Sequence, residues 1–267
     1  MTPESRRGTE PARLFDLSGR VVLLTGAAGK LADQMLRALT AAGASVALAD
    51  QNERDCAERA ALLRREGTDA EAFGVDIRDE ASVAALVAAV HERWGRIDVL
   101  VNAAGRTFFQ VLEELTLDQW REVLESNLTS VFLTTRAVVP YMRRASRGSI
   151  VNIGSIYGVV GADQRIYGTS GINSSPAYAA AKGGVINLTR HLAVHLAPAG
   201  IRANSISPGG FFANQDPEFV RGYVYRTPLG RMGNETDLMG AILFLASDAS
   251  AYVTGHNLIV DGGWTAW

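Results

Sequence analysis

The sequence predicts an α/β fold: a doubly wound parallel sheet of seven strands with helices on both faces. Two patterns predict it. From Arg20 onward, short β-branched runs alternate with longer Ala/Leu-rich amphipathic runs, the alternation of strand and crossover helix. Most strand candidates are also nearly continuous apolar runs, as needed where helices cover both faces of a parallel sheet. A chain of 267 residues, 47% hydrophobic, is long enough to bury one substantial core.

Each element follows in order. Residues 1–13, MTPESRRGTEPAR, read as a disordered tail; no apolar run follows the two arginines, so a secretion signal is not expected. Residues 14–267 read as one domain. VVLLT (21–25), SVALA (45–49), AEAFG (70–74), IDVLV (97–101), SIVNI (149–153), RANSI (202–206) and NLIV (257–260) are the strands. Helices are expected at 31–42, 52–66, 79–94, 116–143, 176–198 and 235–247. Asp79 and Thr116 have the side chains that start helices, and Gly43, Gly67, Gly95 and Gly200 fall where helices stop. The closing DGGWTAW is aromatic enough that leaving all of it in water is costly, which predicts a packed or subunit-contacting C-terminus.

Composition narrows the function. The 26 basic and 28 acidic residues give a net charge of -2, and no basic stripe is present to follow a phosphate backbone, so nucleic acid is not an expected partner. No apolar stretch approaches the roughly 20 residues of a membrane span. One cysteine, Cys56, rules out an internal disulfide and a cysteine-rich zinc cluster, so a cytoplasmic location is expected. Cys56 sits among charged neighbours and far in sequence from the other chemistry, so no catalytic thiol is read there. His191 and His195 have i, i+4 spacing but no third ligand, and no metal site is assigned.

The first strand runs into TGAAGKLA (25–32) and then a helix, the context of a dinucleotide site in a Rossmann-type sheet. Glycine lets backbone approach a pyrophosphate, and the helix N-terminus offers free amides and a positive dipole end. Thr25, Gly26, Gly29, Lys30 and Leu31 are the candidates. Asp50 ends the second strand about 20 residues on, where a carboxylate accepts ribose hydroxyls and repels a 2′-phosphate, which predicts NAD over NADP. Asp76 and Ile77 follow the third strand, placed for an adenine amino group. Asn102, Ala103, Ala104 and Gly105 form a small-residue turn after the fourth strand, at the carboxyl edge where such sheets bind ligands.

Within SSPAYAAAKGGVINL (174–188), Tyr178 and Lys182 lie four residues apart, one helical turn on a common face. A phenol titrates near 10 and exchanges protons poorly at neutral pH, but an adjacent ammonium favours the phenolate. Tyr178 is thereby a candidate acid/base and Lys182 its activator. Ser155, on the turn after the fifth strand, supplies a hydroxyl for a substrate oxygen.

Glycine turn, NAAG, Asn127, Ser155, Tyr178/Lys182 and SPGG (207–210) stand in the order seen in classical short-chain dehydrogenases/reductases, a family that the chain resembles over roughly residues 15 to 267. The resemblance implies a nicotinamide-dependent interconversion of a secondary alcohol and a ketone, with Tyr178 exchanging the proton. It also implies that Lys182 bonds the nicotinamide ribose and that Asn127 anchors a water for proton relay. Pro208, Gly209, Gly210 and Phe211 would lie by the nicotinamide carboxamide. The 116–143 and 176–198 helices would pair across the interface of a homotetramer.

The chain departs from that family's T-G-x-x-x-G-x-G turn, with Lys30 and Ala32 at the second and third glycine positions. Lys30 is expected to pair with the pyrophosphate. The segment 159–174 lengthens the usual serine-to-tyrosine separation and, with 211–227, is expected to border a substrate pocket. This insertion and GGFFANQ (209–215) resemble a subgroup near sugar-modifying and gluconate-type enzymes, so a polar sugar-, polyol- or hydroxy-acid-like substrate is expected. Tyr157 and Tyr167 are not the base, because glycine lies four residues beyond each. Two rivals remain: a 3-oxoacyl reductase using NADPH, which Asp50 opposes, and a non-catalytic nucleotide-binding protein, which Lys30 raises and the intact Ser155, Tyr178 and Lys182 oppose.

Overall fold

A computed structural model describes residues 10–169 and 173–267. Residues 1–9 of the expected tail and 170–172 of the insertion lie outside the described residues. The tail boundary falls inside a short 3-10 helix, Pro11–Phe15.

Seven strands form one wholly parallel sheet: β1 (Val21–Thr25), β2 (Ser45–Asp50), β3 (Ala70–Gly74), β4 (Val99–Asn102), β5 (Gly148–Ile153), β6 (Ile201–Pro208) and β7 (Asn257–Val260). Their spatial order is β3-β2-β1-β4-β5-β6-β7. The order reverses between β1 and β4, so the connections leaving these strands go to opposite faces and open a crevice at their carboxyl ends. Register aligns those ends: Thr25 pairs Asn102, and Asn102 pairs Asn152.

The helices are α1 (Ala32–Ala41), α2 (Glu53–Arg65), α3 (Glu80–Trp94), α4 (Leu117–Leu124), α5 (Ser130–Ala145), α6 (Pro176–Leu196), α7 (Pro217–Arg226) and α8 (Met239–Ala246). Alternate residues of β1 serve the two faces. Val22 and Leu24 pack with the α1 and α8 side chains, and Val21 and Leu23 with those of α3 and α5. The starts behave as their side chains require: Asp79 accepts the Ser82 amide, and Thr116 makes a reciprocal capping box with Gln119.

Three helical expectations change. The single helix expected over 116–143 is α4 and α5 joined by a π turn, Glu125–Thr129, which contains Asn127. Helix α7 was not expected. Its signal is Asp216, which caps the Glu218 amide, followed by Pro217 at the first helical position. The last helix begins at Met239 rather than 235, after an Asn234 turn that holds the Thr236 amide. Trp264 of the C-terminal segment is 1% exposed, whereas Trp267 is 77% exposed.

Candidate functional site

The crevice at the β1/β4 reversal gathers eight of the predicted cofactor residues. Gly26, Gly29, Asp50, Asp76, Ile77, Ala103, Ala104 and Gly105 line one cleft. Gly26 has φ +73°, and a Cβ there would stand 2.6 Å from the Ala104 backbone, so only glycine lets the two turns form a common floor. Asp50 is fixed at both oxygens: Oδ2 accepts the Ala28 amide (3.1 Å) and Oδ1 the Asn52 amide (3.0 Å). Its free lone pairs remain for ligand hydroxyls.

Several predicted residues contribute differently. Thr25 is 2% exposed, and its hydroxyl faces the Val101 carbonyl at 3.4 Å. The Asn102 side chain is spent inside the sheet, donating to Asn152 (2.8 Å) and accepting from Thr134 (2.7 Å). It ties β4 to β5 and α5, and offers a ligand only its backbone. Asp76 lines the cleft, but Arg78 grips its carboxylate in a fork (2.9 and 2.8 Å) and holds it below the usual carboxylate range. Lys30 is exposed and Leu31 half-buried, and neither lines the cleft.

Arg78, Arg106, Gln51, Val75 and Ser126 also line it, and sequence reasoning missed them. Glu122 of α4 pairs with Arg106 and reaches Arg78 at 3.9 Å, joining three separate elements around the rim. No local pattern announces such a contact.

The four predicted catalytic residues come from three places. Ser155 begins a 3-10 turn, Ile156–Gly158, where its Oγ accepts the Tyr157 amide at 3.2 Å. Gly158 lies directly on α6, which brings this turn to the helix carrying Tyr178 and Lys182. The Ser155 hydroxyl acts on the Tyr178 phenol and draws its titration down. Lys182 is 5% exposed, its Nζ 5.5 Å from the Tyr178 ring centroid and donating to the Ile153 carbonyl at 2.8 Å. Asn127 is 1% exposed. Its Nδ2 donates to the Arg106 carbonyl (2.7 Å) and the Val123 carbonyl (3.0 Å), while Oδ1 has no protein partner. The π turn rests on α6 through Leu128, whose side chain a Cβ on Gly184 would meet at 2.8 Å.

One electrostatic expectation reverses. The ammonium is expected to lower the Tyr178 phenol; instead burial pushes that phenol up, and the Ser155 hydrogen bond pulls it only part of the way back. Burial also lowers Lys182, to about 8. A phenolate and an ammonium both lose hydration here, and Lys182 spends a hydrogen bond on a carbonyl rather than on the phenol oxygen.

Gly209, Gly210 and Phe211 do not line the first cleft. They border a second hollow with Arg231, Asp237 and Asp261, while Pro208 ends β6. A third hollow flanks the start of α6 and is lined by Val111, Leu112, Ala162, Gln164, Asn173 and Ser174 among others. Cys56 is buried, and burial pushes its thiol up to about 12. Among the described residues no group of three His, Cys, Asp or Glu side chains could hold a metal ion, and no helix is long and apolar enough to cross a membrane.

The residues present fit a dinucleotide: a glycine floor without side chains, a fixed carboxylate at the end of β2, and the first turn of α1 behind them. Comparisons with known proteins agree. A sequence profile of the family described as "Enoyl-(Acyl carrier protein) reductase" matches residues 26–265. The chain is 40% identical over 253 residues to trans-4-hydroxycyclohexanecarboxylate dehydrogenase of Sinomonas cyclohexanicum, covering 92% of this chain and 93% of that protein. It resembles the crystal structure of a gluconate 5-dehydrogenase from Burkholderia cenocepacia J2315 in complex with NADP and tartrate (34% identity, TM-score 0.89, 97% and 100% of the two chains). It also resembles a short chain dehydrogenase from Leptospira borgpetersenii with bound NAD+ (36% identity, TM-score 0.86, 97% and 96%).

Proposed function

This chain belongs to the classical short-chain dehydrogenase/reductase family, and on that premise we propose that it interconverts a polar, hydroxylated secondary alcohol and its ketone with NAD(H). It is an oxidoreductase acting on hydroxyl-bearing carbons, and the finer reading concerns cofactor, substrate and residue roles. One observation carries it: a half-buried tyrosine, influenced by Ser155 and flanked by Lys182, on a sheet whose switch-point cleft has a glycine floor that suits a dinucleotide.

In this reading Gly26, Gly29 and the α1 N-terminus hold the pyrophosphate, Asp50 the adenosine ribose, and Lys182 the nicotinamide ribose. The bound nicotinamide supplies the hydride acceptor or donor. Ser155 orients the substrate oxygen. Tyr178 takes the hydroxyl proton during oxidation and returns it during reduction. Lys182 stabilises the phenolate that oxidation requires, and Asn127 offers its unpartnered Oδ1 to a relay water. The burial that raises Tyr178 keeps it protonated at rest, which suits it as the acid of ketone reduction.

Asp50 supports NAD(H), since a 2′-phosphate would meet a carboxylate held rigidly by two amides. The NADP-bound neighbour favours the rival cofactor, and the two make opposite kinetic predictions. The hollow at the start of α6 combines Val111 and Leu112 with Gln164, Asn173 and Ser174, a lining suited to a hydroxylated ring or hydroxy acid. The names of the 4-hydroxycyclohexanecarboxylate and gluconate relatives support that class. We further read the protein as a cytoplasmic homotetramer; exposed Phe132 on α5 and Val194 on α6 support a helical interface, and light scattering after size exclusion tests it.

The functional test is an absorbance assay of hydroxy acids, polyols, sugar acids and cyclic alcohols with NAD+ and with NADP+. Turnover is expected with NAD+ on a hydroxylated substrate and is expected to vanish in Tyr178→Phe, which still binds NADH. Turnover unchanged in that variant removes the proposed proton carrier.

A further inference from the structure

We propose that Tyr223 is a positioning residue of the reaction: through its hydroxyl and the Trp264 ring it fixes the Gly209–Gly210 turn relative to the Ser155 turn. The proposal rests on the functional reading above, in which Ser155 meets the substrate oxygen, and on the family resemblance, which puts the Gly209–Gly210 turn by the nicotinamide.

The contact begins at the backbone. The Gly210 amide donates to the Tyr223 hydroxyl at 2.5 Å. A Cβ on Gly209 would stand 2.8 Å from that hydroxyl, and one on Gly210 would stand 2.8 Å from Cζ of the same ring. These glycines are therefore demanded by Tyr223 as well as by any ligand. Tyr223 is 2% exposed on α7, and α7 belongs to none of the motifs that define the site.

From Tyr223 a chain of rings leads to the catalytic serine. Tyr223 stacks on Trp264 (centroids 6.0 Å, 22°), and Trp264 meets Tyr157 edge-on (6.0 Å, 81°). Tyr157 donates its amide to the Ser155 hydroxyl. The insertion joins the same cluster: the Tyr157 and Tyr167 hydroxyls are 2.8 Å apart, and Tyr167 stacks on Phe219 of α7 at 5.4 Å. Trp264 is 1% exposed, and its indole N–H has no protein partner. A buried donor without a partner opposes folding, so the ring is held by its shape and packing, not by its polar edge.

Close-packed interiors transmit small displacements, and a reacting centre misplaced by 1 Å loses about 100-fold in rate. An aromatic spacer between the two turns controls that separation. It also explains why the C-terminal DGGWTAW folds inward at Trp264.

The test compares wild type with Tyr223→Phe, which keeps the ring and removes only the hydroxyl. Readouts are kcat, KM, the dissociation constant of NADH by fluorescence, the primary deuterium isotope effect at the carbinol carbon, and the melting temperature. We expect kcat to fall about 10-fold, the isotope effect to rise as hydride transfer becomes limiting, and NADH to bind several-fold more weakly, with little change in melting temperature. Trp264→Phe, which shrinks the spacer, is expected to move kcat and the isotope effect the same way. A folded Tyr223→Phe protein with wild-type kcat and isotope effect overturns the proposal alone. If Tyr223→Phe does not fold, an unchanged isotope effect in Trp264→Phe overturns it. Wild-type protein that binds neither NADH nor NADPH overturns the functional reading, and this proposal with it.

Discussion

Gly158 lies on the backbone of Lys182 so closely that a Cβ at residue 158 would stand 2.6 Å from the lysine's carbonyl carbon. Neither residue announces the other in sequence, yet this contact docks the Ser155 turn on the helix that carries Tyr178. A serine after one strand and a tyrosine on a later helix become partners because a missing side chain lets two backbones touch.

Gly158→Ala tests that docking. The added methyl meets the α6 backbone at Lys182 and Gly183, so the turn must move, at a cost of about 1–3 kcal/mol. The expected result is a melting temperature lower by several degrees and turnover reduced about 100-fold as Ser155 moves away from Tyr178. Calorimetry and steady-state assay check the two together. Turnover within twofold of wild type separates the docking from catalysis.

Lys182 sets a pH dependence of stability. Its folded value, about 8, lies below its ordinary 10.5 because burial penalises the charge. Between these values the unfolded chain binds more protons than the folded one, so this group's contribution to stability rises with pH through that window. Lys182→Met has no such group. Wild type should therefore gain on the variant, by roughly 3 kcal/mol over the whole window. Urea melts from pH 7 to 10.5 measure the difference, in which the tyrosines common to both proteins cancel. A pH-independent difference contradicts the lowered lysine.

Asp50→Ala should shift cofactor preference. Removing a fixed carboxylate from the β2 end relieves repulsion of a 2′-phosphate and removes an acceptor for ribose hydroxyls. The ratio of kcat/KM for NADP+ to that for NAD+ is expected to rise at least about tenfold, the equivalent of 1.4 kcal/mol. Wild type that already prefers NADP+ reverses the cofactor assignment.

Asp163 fastens the insertion to α7. Its carboxylate takes the Arg165 guanidinium (2.8 Å) and Arg226 of α7 (2.8 Å), and these partners hold it well below the usual carboxylate range, Arg165 first. A depressed carboxylate stabilises the fold above its unfolded value of 3.8 and loses that contribution as pH falls through its folded value. The stability gap between wild type and Asp163→Asn should be flat above about pH 5 and close toward pH 2, followed by denaturant titration. At neutral pH the variant should raise substrate KM more than it changes NADH binding, since the latch holds the insertion proposed to border the substrate. A gap that persists unchanged in acid counts against the ion contacts.

The sheet was legible because each strand's apolar run and each helix's period are properties of neighbouring residues. So were the TGAAG turn and the four-residue separation of Tyr178 and Lys182, which a helix converts directly into a shared face. Asp50 too could be placed, since a strand end has one position relative to the turn that precedes it.

What the sequence alone determined, then, is the doubly wound sheet, its switch point and the residue types at the cleft. The tertiary structure alone decided what those residues are free to do. It spent the Asn102 side chain on the sheet, gave Asp76 to Arg78 and raised the phenol that a nearby lysine was expected to lower. It also broke the long helix with a π turn at Asn127, added α7, and drew Trp264 between Tyr157 and Tyr223. Local pattern is written in spacing. Hydrogen-bond commitment, burial and the charge they permit depend on what arrives from a distant part of the chain, and that is fixed only when the layers pack.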